Sequence, residues 1–176
     1  MLDVWARRQL ASLLDVCFFD LDEEIEKYFK TSIERLQDKF LTTHSFREEA
    51  SKALIHILGL REAKNCVIAL PPSGLMGGYL RVVKKAKGIA VVIKDTPENI
   101  LGRVTFYDKD SHLIVKKLTK NEEMLCLSQI RDDISYFRPS YKKADLHIEI
   151  MGLNIDEAAM KIRDSLLNIK KDAPPL

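Results

Sequence analysis

Three observations predict an α/β fold in three layers, with a parallel sheet flanked by helices on both faces. Residues 66–70 and 89–93 are runs of consecutive apolar residues without polar alternation, as in strands that are buried on both faces. Segments with helical periodicity separate these runs, which is typical of parallel sheets. The length of 176 residues corresponds to about one domain, and we assign it to residues 1–169, followed by a C-terminal tail at 170–176.

The composition excludes several classes of protein. Apolar residues make up 46% of the chain and charged residues 31%, as in ordinary globular domains. The net charge of +2 argues against a strongly basic nucleic-acid binder. No apolar run reaches the roughly 18 residues of a membrane span, and the first residues lack the apolar region of a signal peptide. These features predict a cytoplasmic location, with neither nucleic acid nor a membrane as partner.

The three cysteines, Cys17, Cys66 and Cys126, are far apart in the sequence and odd in number. They form no C-x-x-C pair, which is the usual spacing of zinc and redox sites. This pattern favours buried free thiols in a reducing compartment over disulfides or a zinc site.

The first half of the chain is predicted to contain four helices and two strands. Helix starts are indicated by acidic first turns and by Ser45 with Glu48 three residues later, the pattern of a capping box. Gly59 is a typical helix stop, and prolines at 71 and 72 end the second strand because proline cannot donate to a ladder. The predicted elements are a helix over 2–14, a strand over 16–19, a helix over 23–29, a helix opened by Ser32, a helix over 45–59 and a strand over 66–70.

The second half continues the alternation of helices and strands. It contains one polar segment, residues 107–120, which is predicted to be a loop or lid. Residues 146–150 alternate between apolar and polar, as a half-exposed strand does. The predicted elements are a basic helix over 79–87, a strand over 89–93, a helix over 97–106, a helix over 121–134, a strand over 146–150 and a closing helix over 156–169.

Ligands of open parallel sheets bind at the carboxyl ends of the strands. In this chain those ends carry the sequence Asp-Leu-Asp at 20–22, the loop at 71–74, and the residues that follow Ile93. We therefore expect a small-molecule site at this edge.

Seven segments in a fixed order carry a family resemblance: FFDLDEEIE, TSIERL, SFREEA, NCVIA, VVIKDTPENILGRV, RPSYKKADLHIEI and IDEAAMKI. Together they resemble the shikimate kinase family, P-loop kinases with a nucleoside-monophosphate-kinase-like fold, over about residues 5–168. The resemblance implies ATP-dependent, Mg²⁺-assisted phosphorylation of shikimate to shikimate 3-phosphate. Another small-molecule kinase, such as a gluconate-kinase-like enzyme, is an alternative.

The resemblance also implies roles for four residues. Asp20 would lie near the magnesium ion, Asp22 would bind shikimate hydroxyls, and Arg47 with Arg138 would bind the shikimate carboxylate and ring. These residue types suit the proposed ligand groups. A guanidinium binds a carboxylate through two hydrogen bonds, and an ionised aspartate accepts hydrogen bonds from hydroxyls. Helix capping by the two aspartates, and a solvated position for Arg47, are the structural alternatives.

The lid of the family carries arginines that bind the nucleotide. Residues 107–120 of this chain contain four lysines and no arginine. Lys116, Lys117 and Arg131 are the candidates for that role. The alternative is that these lysines form a solvated cluster, because a lysine ammonium cannot bind a phosphate in the bidentate fashion of an arginine guanidinium.

Two further departures concern the phosphate site and the substrate loop. The printed sequence contains no G-x-x-x-x-G-K-[ST], the loop whose amides and lysine hold phosphates. Counting back from Asp22 places Asp3 at the lysine position, where its charge would repel a triphosphate. Pro71 and Pro72 occupy the family's triple-glycine loop and remove two backbone donors. The glycines at 77 and 78 are either a displaced remnant of that loop or a tight turn into the next helix.

The same departures predict that the central first strand of the family fold is missing. The strands at 66–70 and 89–93 would then pair directly or flank a gap. In the second case the chain should be marginally stable or form a homo-oligomer through the exposed edges. A truncated kinase and a diverged, non-catalytic module that binds a small cyclic or aromatic carboxylic acid both remain open, and we expect no kinase activity from the chain as given.

Overall fold

The computed structural model describes residues 4–172 and shows eight α-helices, one short 3₁₀ helix (Glu62–Lys64) and six strands in that range. The helices are α1 (Val4–Leu14), α2 (Leu21–Phe29), α3 (Ile33–Gln37), α4 (Thr43–Gly59), α5 (Gly77–Lys85), α6 (Pro97–Leu101), α7 (Lys120–Tyr141) and α8 (Ile155–Asp172). The strands are β1 (Cys17–Asp20), β2 (Cys66–Ala69), β3 (Val91–Lys94), β4 (Phe106–Tyr107), β5 (Leu113–Ile114) and β6 (Leu146–Glu149). The predicted α/β fold with parallel strands and flanking helices is confirmed.

β1 and β2 form a parallel pair that is covered on one face by α2, α4 and α5. Ile68 of β2 packs on that face against a core cluster that contains Leu21, Ile25 and Tyr79, all of them buried. The neighbouring Val67 packs on the opposite face, against a second cluster. Successive residues of one strand thus face different cores, as the predicted three-layer arrangement requires.

β3 and β6 form a second parallel pair, which rests on α1 and α8. The buried members of this second cluster come from α1, from β6 and the residue after it, and from α8: Leu10, Ile148, Ile150, Ala158, Ala159 and Ile162. Val91 and Ile93 of β3 pack against the same cluster as Val67 of β2. Both strand pairs therefore lie on one apolar layer made by the first and last helices.

Within residues 4–172, no ladder joins β2 to β3, so the parallel strands form two separate pairs. β2 is hydrogen-bonded to β1, and β3 is hydrogen-bonded to β6. The other edge of β2 and the other edge of β3 therefore have no strand partner in the described range. Of the two alternatives, direct pairing or a gap, the described residues show the gap, and the expected single sheet is split into two parallel pairs. Because most residues of β2 and β3 are only half-buried, water can reach part of these edges.

Several predicted helix boundaries are wrong. The capping box at Ser45 is not formed, because α4 starts earlier and Thr42 accepts the hydrogen bond of the Ser45 amide, at 3.0 Å. α6 ends at Leu101 rather than near residue 106, with Gly102 as its C-cap.

At the other end of the chain, two helices continue beyond their predicted ends. α7 passes through Pro139 to Tyr141, and a bond from the Lys142 amide to the Arg138 carbonyl closes its last turn. α8 extends to Asp172 and so takes up the start of the predicted tail, while residues 173–176 lie outside the described range, as does Asp3. None of the helices described is long and apolar enough to cross a membrane.

The predicted lid is a short antiparallel hairpin, β4–β5, followed by an extended segment. Its tip lies against α2 and α3. The Ser32 hydroxyl donates to the Lys109 carbonyl at 2.7 Å, Arg35 pairs with Asp110 at 2.6 Å, and Ser111 donates to Glu26. The hairpin is thereby held beside the helix that carries Asp22.

The split sheet leads to a stability prediction. Fusing a five-residue apolar strand with a flexible linker to the N-terminus should raise the melting temperature by several degrees, because the strand can pair with β2 and β3. One kcal/mol corresponds to about 2–4 °C at this chain length. An extension of equal length made of alternating Lys and Glu is the control, and calorimetry is the measurement. Equal melting temperatures for the two fusions would show that the β2 and β3 edges do not accept a strand.

Candidate functional site

The junction of β1 and α2 places two acidic side chains at the carboxyl end of the first strand pair. Asp20 is buried and caps α2, because its Oδ1 accepts a hydrogen bond from the Asp22 amide at 3.0 Å. Capping is the structural alternative that the sequence left open, and for Asp20 it is the arrangement in the structure. The proposed magnesium role of Asp20 stays a prediction.

Asp22 is half-buried on the first turn of α2. Burial raises its pKa to about 6, with a further contribution from the negative charge of Asp20, while the positive charge of Arg7 acts in the opposite direction. A carboxyl group with this pKa changes charge close to neutral pH. Such a shift is typical of functional sites, although structural carboxyl pairs produce it as well.

Tyr79 brings Asp22 and Arg47 into one electrostatic neighbourhood. Its side chain is 1% exposed, and burial raises the phenol pKa. The charge of Asp22 acts in the same direction, and the charge of Arg47 lowers the pKa. Arg47 is half-buried on α4, next to the buried Phe46. The charges of Asp22 and Arg47 therefore both affect the pKa of the Tyr79 hydroxyl.

The close packing of α4 and α5 explains the two glycines before Tyr79. A Cβ atom at Gly78 would lie 2.8 Å from both the Arg47 carbonyl oxygen and the Ser51 hydroxyl, so no other residue fits without movement. Gly77 has a φ of +49°, which glycine adopts at little cost. Of the two alternatives left by the sequence, the structure matches the tight turn into the helix.

Arg7 was not singled out by the sequence, yet it lies at this edge. Its Nη1 donates to the carbonyl of Leu70, the first residue after β2, at 3.2 Å. Its charge also acts on Asp22 and on Tyr141 of α7. Arg7 of α1 is thus hydrogen-bonded to the residue after β2, and its charge acts on α2 and on the end of α7. No sequence motif around Arg7 indicates this position.

The last turn of α7 carries Arg138, which is exposed, and Tyr141, which is half-buried. Burial, followed by the charge of Asp133, raises the pKa of Tyr141 to about 12, whereas Arg7 acts to lower it. Tyr141 is therefore the residue of this turn that reaches the neighbourhood of Arg7. The assignment of Arg138 as a substrate-binding residue stays a prediction.

The three candidate nucleotide residues are exposed and spread over the lid and α7. The ammonium of Lys116 pairs with Glu122 at 2.7 Å, and Arg131 pairs with Glu98 at 2.9 Å. Lys117 is exposed beyond β5. Two of the three cations thus already have carboxylate partners that a nucleotide would have to displace.

Metal-ligating side chains do not cluster within the part of the chain that the structure describes. No group of three or more histidine, cysteine or acidic side chains in residues 4–172 could hold a metal ion. Asp20 accepts the capping hydrogen bond of α2, and the printed residues contain no G-x-x-x-x-G-K-[ST].

An open cleft of about 410 Å³ lies between α1, β1 and α2. Its lining includes Asp20 and the Arg8–Glu23 ion pair, whose separation is 3.1 Å. Among its lining residues are neither Asp22 nor Arg47. The predicted substrate residues thus lie outside this cleft.

Comparisons with known proteins identify the family. The shikimate kinase family model matches residues 7–166, which is most of the chain. The chain belongs to the shikimate kinase family. It is 26% identical over 157 residues to the shikimate kinase of Cereibacter sphaeroides, covering 89% of this chain and 73% of that protein. It is also 26% identical over 164 residues to the shikimate kinase of Thermoanaerobacter pseudethanolicus, covering 93% and 89%.

Solved shikimate kinase structures have the same fold. The enzyme from Bacteroides thetaiotaomicron superimposes with a TM-score of 0.72 at 17% identity, covering 93% of this chain and 91% of the other. The enzyme from Acinetobacter baumannii, solved in complex with shikimate, has a TM-score of 0.66 at 25% identity and covers 94% and 86%. The resemblance predicted from seven short segments is confirmed.

The pKa of Asp22 makes stability depend on pH. The folded-state pKa of about 6 lies above the ordinary aspartate value of about 3.9, so the folded state takes up the proton more readily than the unfolded state. The resulting destabilisation is absent below about pH 4 and complete above about pH 6. We expect Asp22→Asn to raise the free energy of unfolding at pH 7 by roughly 2–3 kcal/mol.

Urea denaturation between pH 4 and 7.5 measures this effect. The decline of stability between pH 4 and 6 should be weaker in Asp22→Asn than in the unmodified chain. Asp38→Asn, which changes an exposed acid after α3, is the matched control and should leave the decline unchanged. If the free energy of unfolding fell equally with pH in the unmodified chain and in Asp22→Asn, the raised pKa of Asp22 would be contradicted.

Proposed function

We propose that this chain binds shikimate, or a closely similar hydroxylated cyclic carboxylic acid, through Arg47 and Asp22, and that it does not itself transfer phosphate. The observation that carries the proposal is that the charges of an acid, Asp22, and a guanidinium, Arg47, both act on the buried Tyr79, next to the β1–β2 pair. Family membership and the shikimate bound to the related Acinetobacter baumannii enzyme support the choice of ligand.

The two side chains match the two kinds of group on such a ligand. The guanidinium of Arg47 would bind the carboxylate through two parallel hydrogen bonds. Ionised Asp22 would accept hydrogen bonds from neighbouring hydroxyls, which a carboxylate does well because it only accepts. Because Asp22 has a pKa of about 6, binding through its charged form should strengthen as the pH rises from 5 to 7.

The proposed lack of phosphoryl transfer rests on the residues that would have to perform it. Phosphoryl transfer depends almost entirely on positioning and on stabilising the phosphate charges. The sequence contains no G-x-x-x-x-G-K-[ST], and Lys116 and Arg131 are paired with carboxylates.

The match to shikimate kinases over residues 7–166 also favours shikimate over gluconate as the type of ligand.

The binding proposal predicts the effect of removing Arg47. Arg47→Ala should weaken shikimate binding by roughly 2–4 kcal/mol, or about 30- to 1000-fold, because a charge-assisted bidentate contact is lost. Isothermal titration calorimetry is the measurement. Arg61→Ala, at an exposed arginine beyond the end of α4, should bind like the unmodified chain. Equal affinities for Arg47→Ala and Arg61→Ala would refute the assignment of Arg47.

A second prediction concerns turnover. The purified 176-residue chain, supplied with shikimate, ATP and Mg²⁺, should release ADP no faster than a reaction without enzyme. A coupled assay measures this, with the related Acinetobacter baumannii enzyme as the positive control. ADP release that depends on shikimate and exceeds the blank would show that the chain is an active kinase and that its phosphate site is built differently.

A further inference from the structure

Two cysteines lie side by side at the amino ends of β1 and β2. Cys17 is the first residue of β1, Cys66 is the first residue of β2, and the two are direct partners in the parallel register. Neighbouring strands lie about 4.7–4.9 Å apart, and residues that are partners in a sheet direct their side chains to the same face. Disulfides join Cα atoms that are about 4.4–6.8 Å apart. The backbone therefore places both thiols within the range that a disulfide spans.

The pair differs from the buried thiols that the sequence predicts. Cys17 is exposed, and Cys66 is half-buried with its thiol donating to the Ala63 carbonyl at 3.4 Å. Burial raises the pKa of Cys66, and the nearby charge of Cys17 adds to this rise, which places the two sulfur atoms in one electrostatic environment. Cys17 is thus open to a reagent in solution, while Cys66 remains a protonated thiol directly beside it.

We propose that Cys17 and Cys66 form a thiol–disulfide exchange site that takes small disulfides from solution and closes into an intrachain disulfide. In the first step the Cys17 thiolate attacks one sulfur of a small disulfide, RSSR, forms a mixed disulfide and releases one RS⁻. In the second step Cys66 loses its proton and attacks the Cys17 sulfur, which releases the second RS⁻. The two protein thiols are oxidised and one RSSR is reduced to two RSH.

The position of the pair determines what closure would do. The bond would join the starts of β1 and β2 and close a loop that contains α2, α3 and α4. The proposed ligand residues lie at the other end of these four-residue strands, roughly 10 Å away at about 3.3 Å per residue. Closure should therefore stabilise the β1–β2 half, because it constrains the unfolded chain, without covering the carboxyl edge.

Incubating the native chain with oxidised glutathione, followed by alkylation and intact mass spectrometry, tests the proposal. The unmodified chain should lose two alkylatable thiols, retain no glutathione and give a cross-linked peptide that contains Cys17 and Cys66. Cys126→Ser should behave in the same way, since Cys126 lies on α7. Cys66→Ser and Cys66→Ala should each stop at one glutathione on Cys17. The closed form should melt roughly 5–10 °C higher than the reduced form, a difference that reductant abolishes.

Three results would overturn the proposal. Glutathione that remains on Cys17 of the unmodified chain would show that Cys66 does not reach it. A disulfide that contains Cys126 would show that the register of β1 and β2 does not control the reaction. Full alkylation of all three cysteines after the incubation would show that Cys17 does not react with small disulfides.

Discussion

The apolar contact between the first and last helices holds this molecule together. Leu10 of α1 packs with Ala159 and Ile162 of α8, and this cluster receives Val67 from one strand pair and Val91 from the other. The two pairs share no ladder in the described range, so side-chain packing takes the place that backbone hydrogen bonds have in a continuous sheet. Packing of this kind is less directional than a ladder, and the relative position of the two halves depends on it.

The candidate site belongs to one of these halves. Asp22, Arg47 and Tyr79 come from α2, α4 and α5, which share a core with β1 and β2. Arg7, from α1, donates to Leu70 at this edge, and its charge also acts on Tyr141 of α7. The residues proposed to bind the ligand thus lie in one packed unit, whereas the three residues expected to hold a nucleotide are exposed, and two of them, Lys116 and Arg131, pair with carboxylates. This division supports the proposal that the chain binds a ligand without transferring phosphate.

Burial of Asp22 supports the proposal that this unit binds a ligand. A carboxyl group whose pKa is raised to about 6 reduces the stability of the folded chain at neutral pH. A hydroxylated ligand that donates hydrogen bonds to this carboxylate would compensate for the water lost on burial. The hairpin tip at Asp110 and Ser111 lies against α2 and α3, and Ser111 donates to Glu26, which lies one helical turn after Asp22.

The sequence predicted the fold class and the family because both depend on local patterns. Apolar runs indicate strands, and the order of seven short segments is independent of their packing. The start of α4 was misplaced because Thr42 and Ser45 are both good caps, and only the packed helix shows which one is used. Arg7 and the Cys17–Cys66 pair were missed because their importance depends on which strands and helices become neighbours. A lone arginine or cysteine carries no such information.

The most direct test of the central claim is a shikimate titration followed by amide NMR. The account predicts saturable shifts near the starts of α2, α4 and α5, at Asp22, Arg47 and Tyr79. Arg47→Ala should remove these shifts at the same shikimate concentrations. Shifts confined to the cleft around Arg8 and Glu23, or no saturable shift in the unmodified chain, would contradict the claim that the β1–β2 half is a binding unit for a hydroxylated acid.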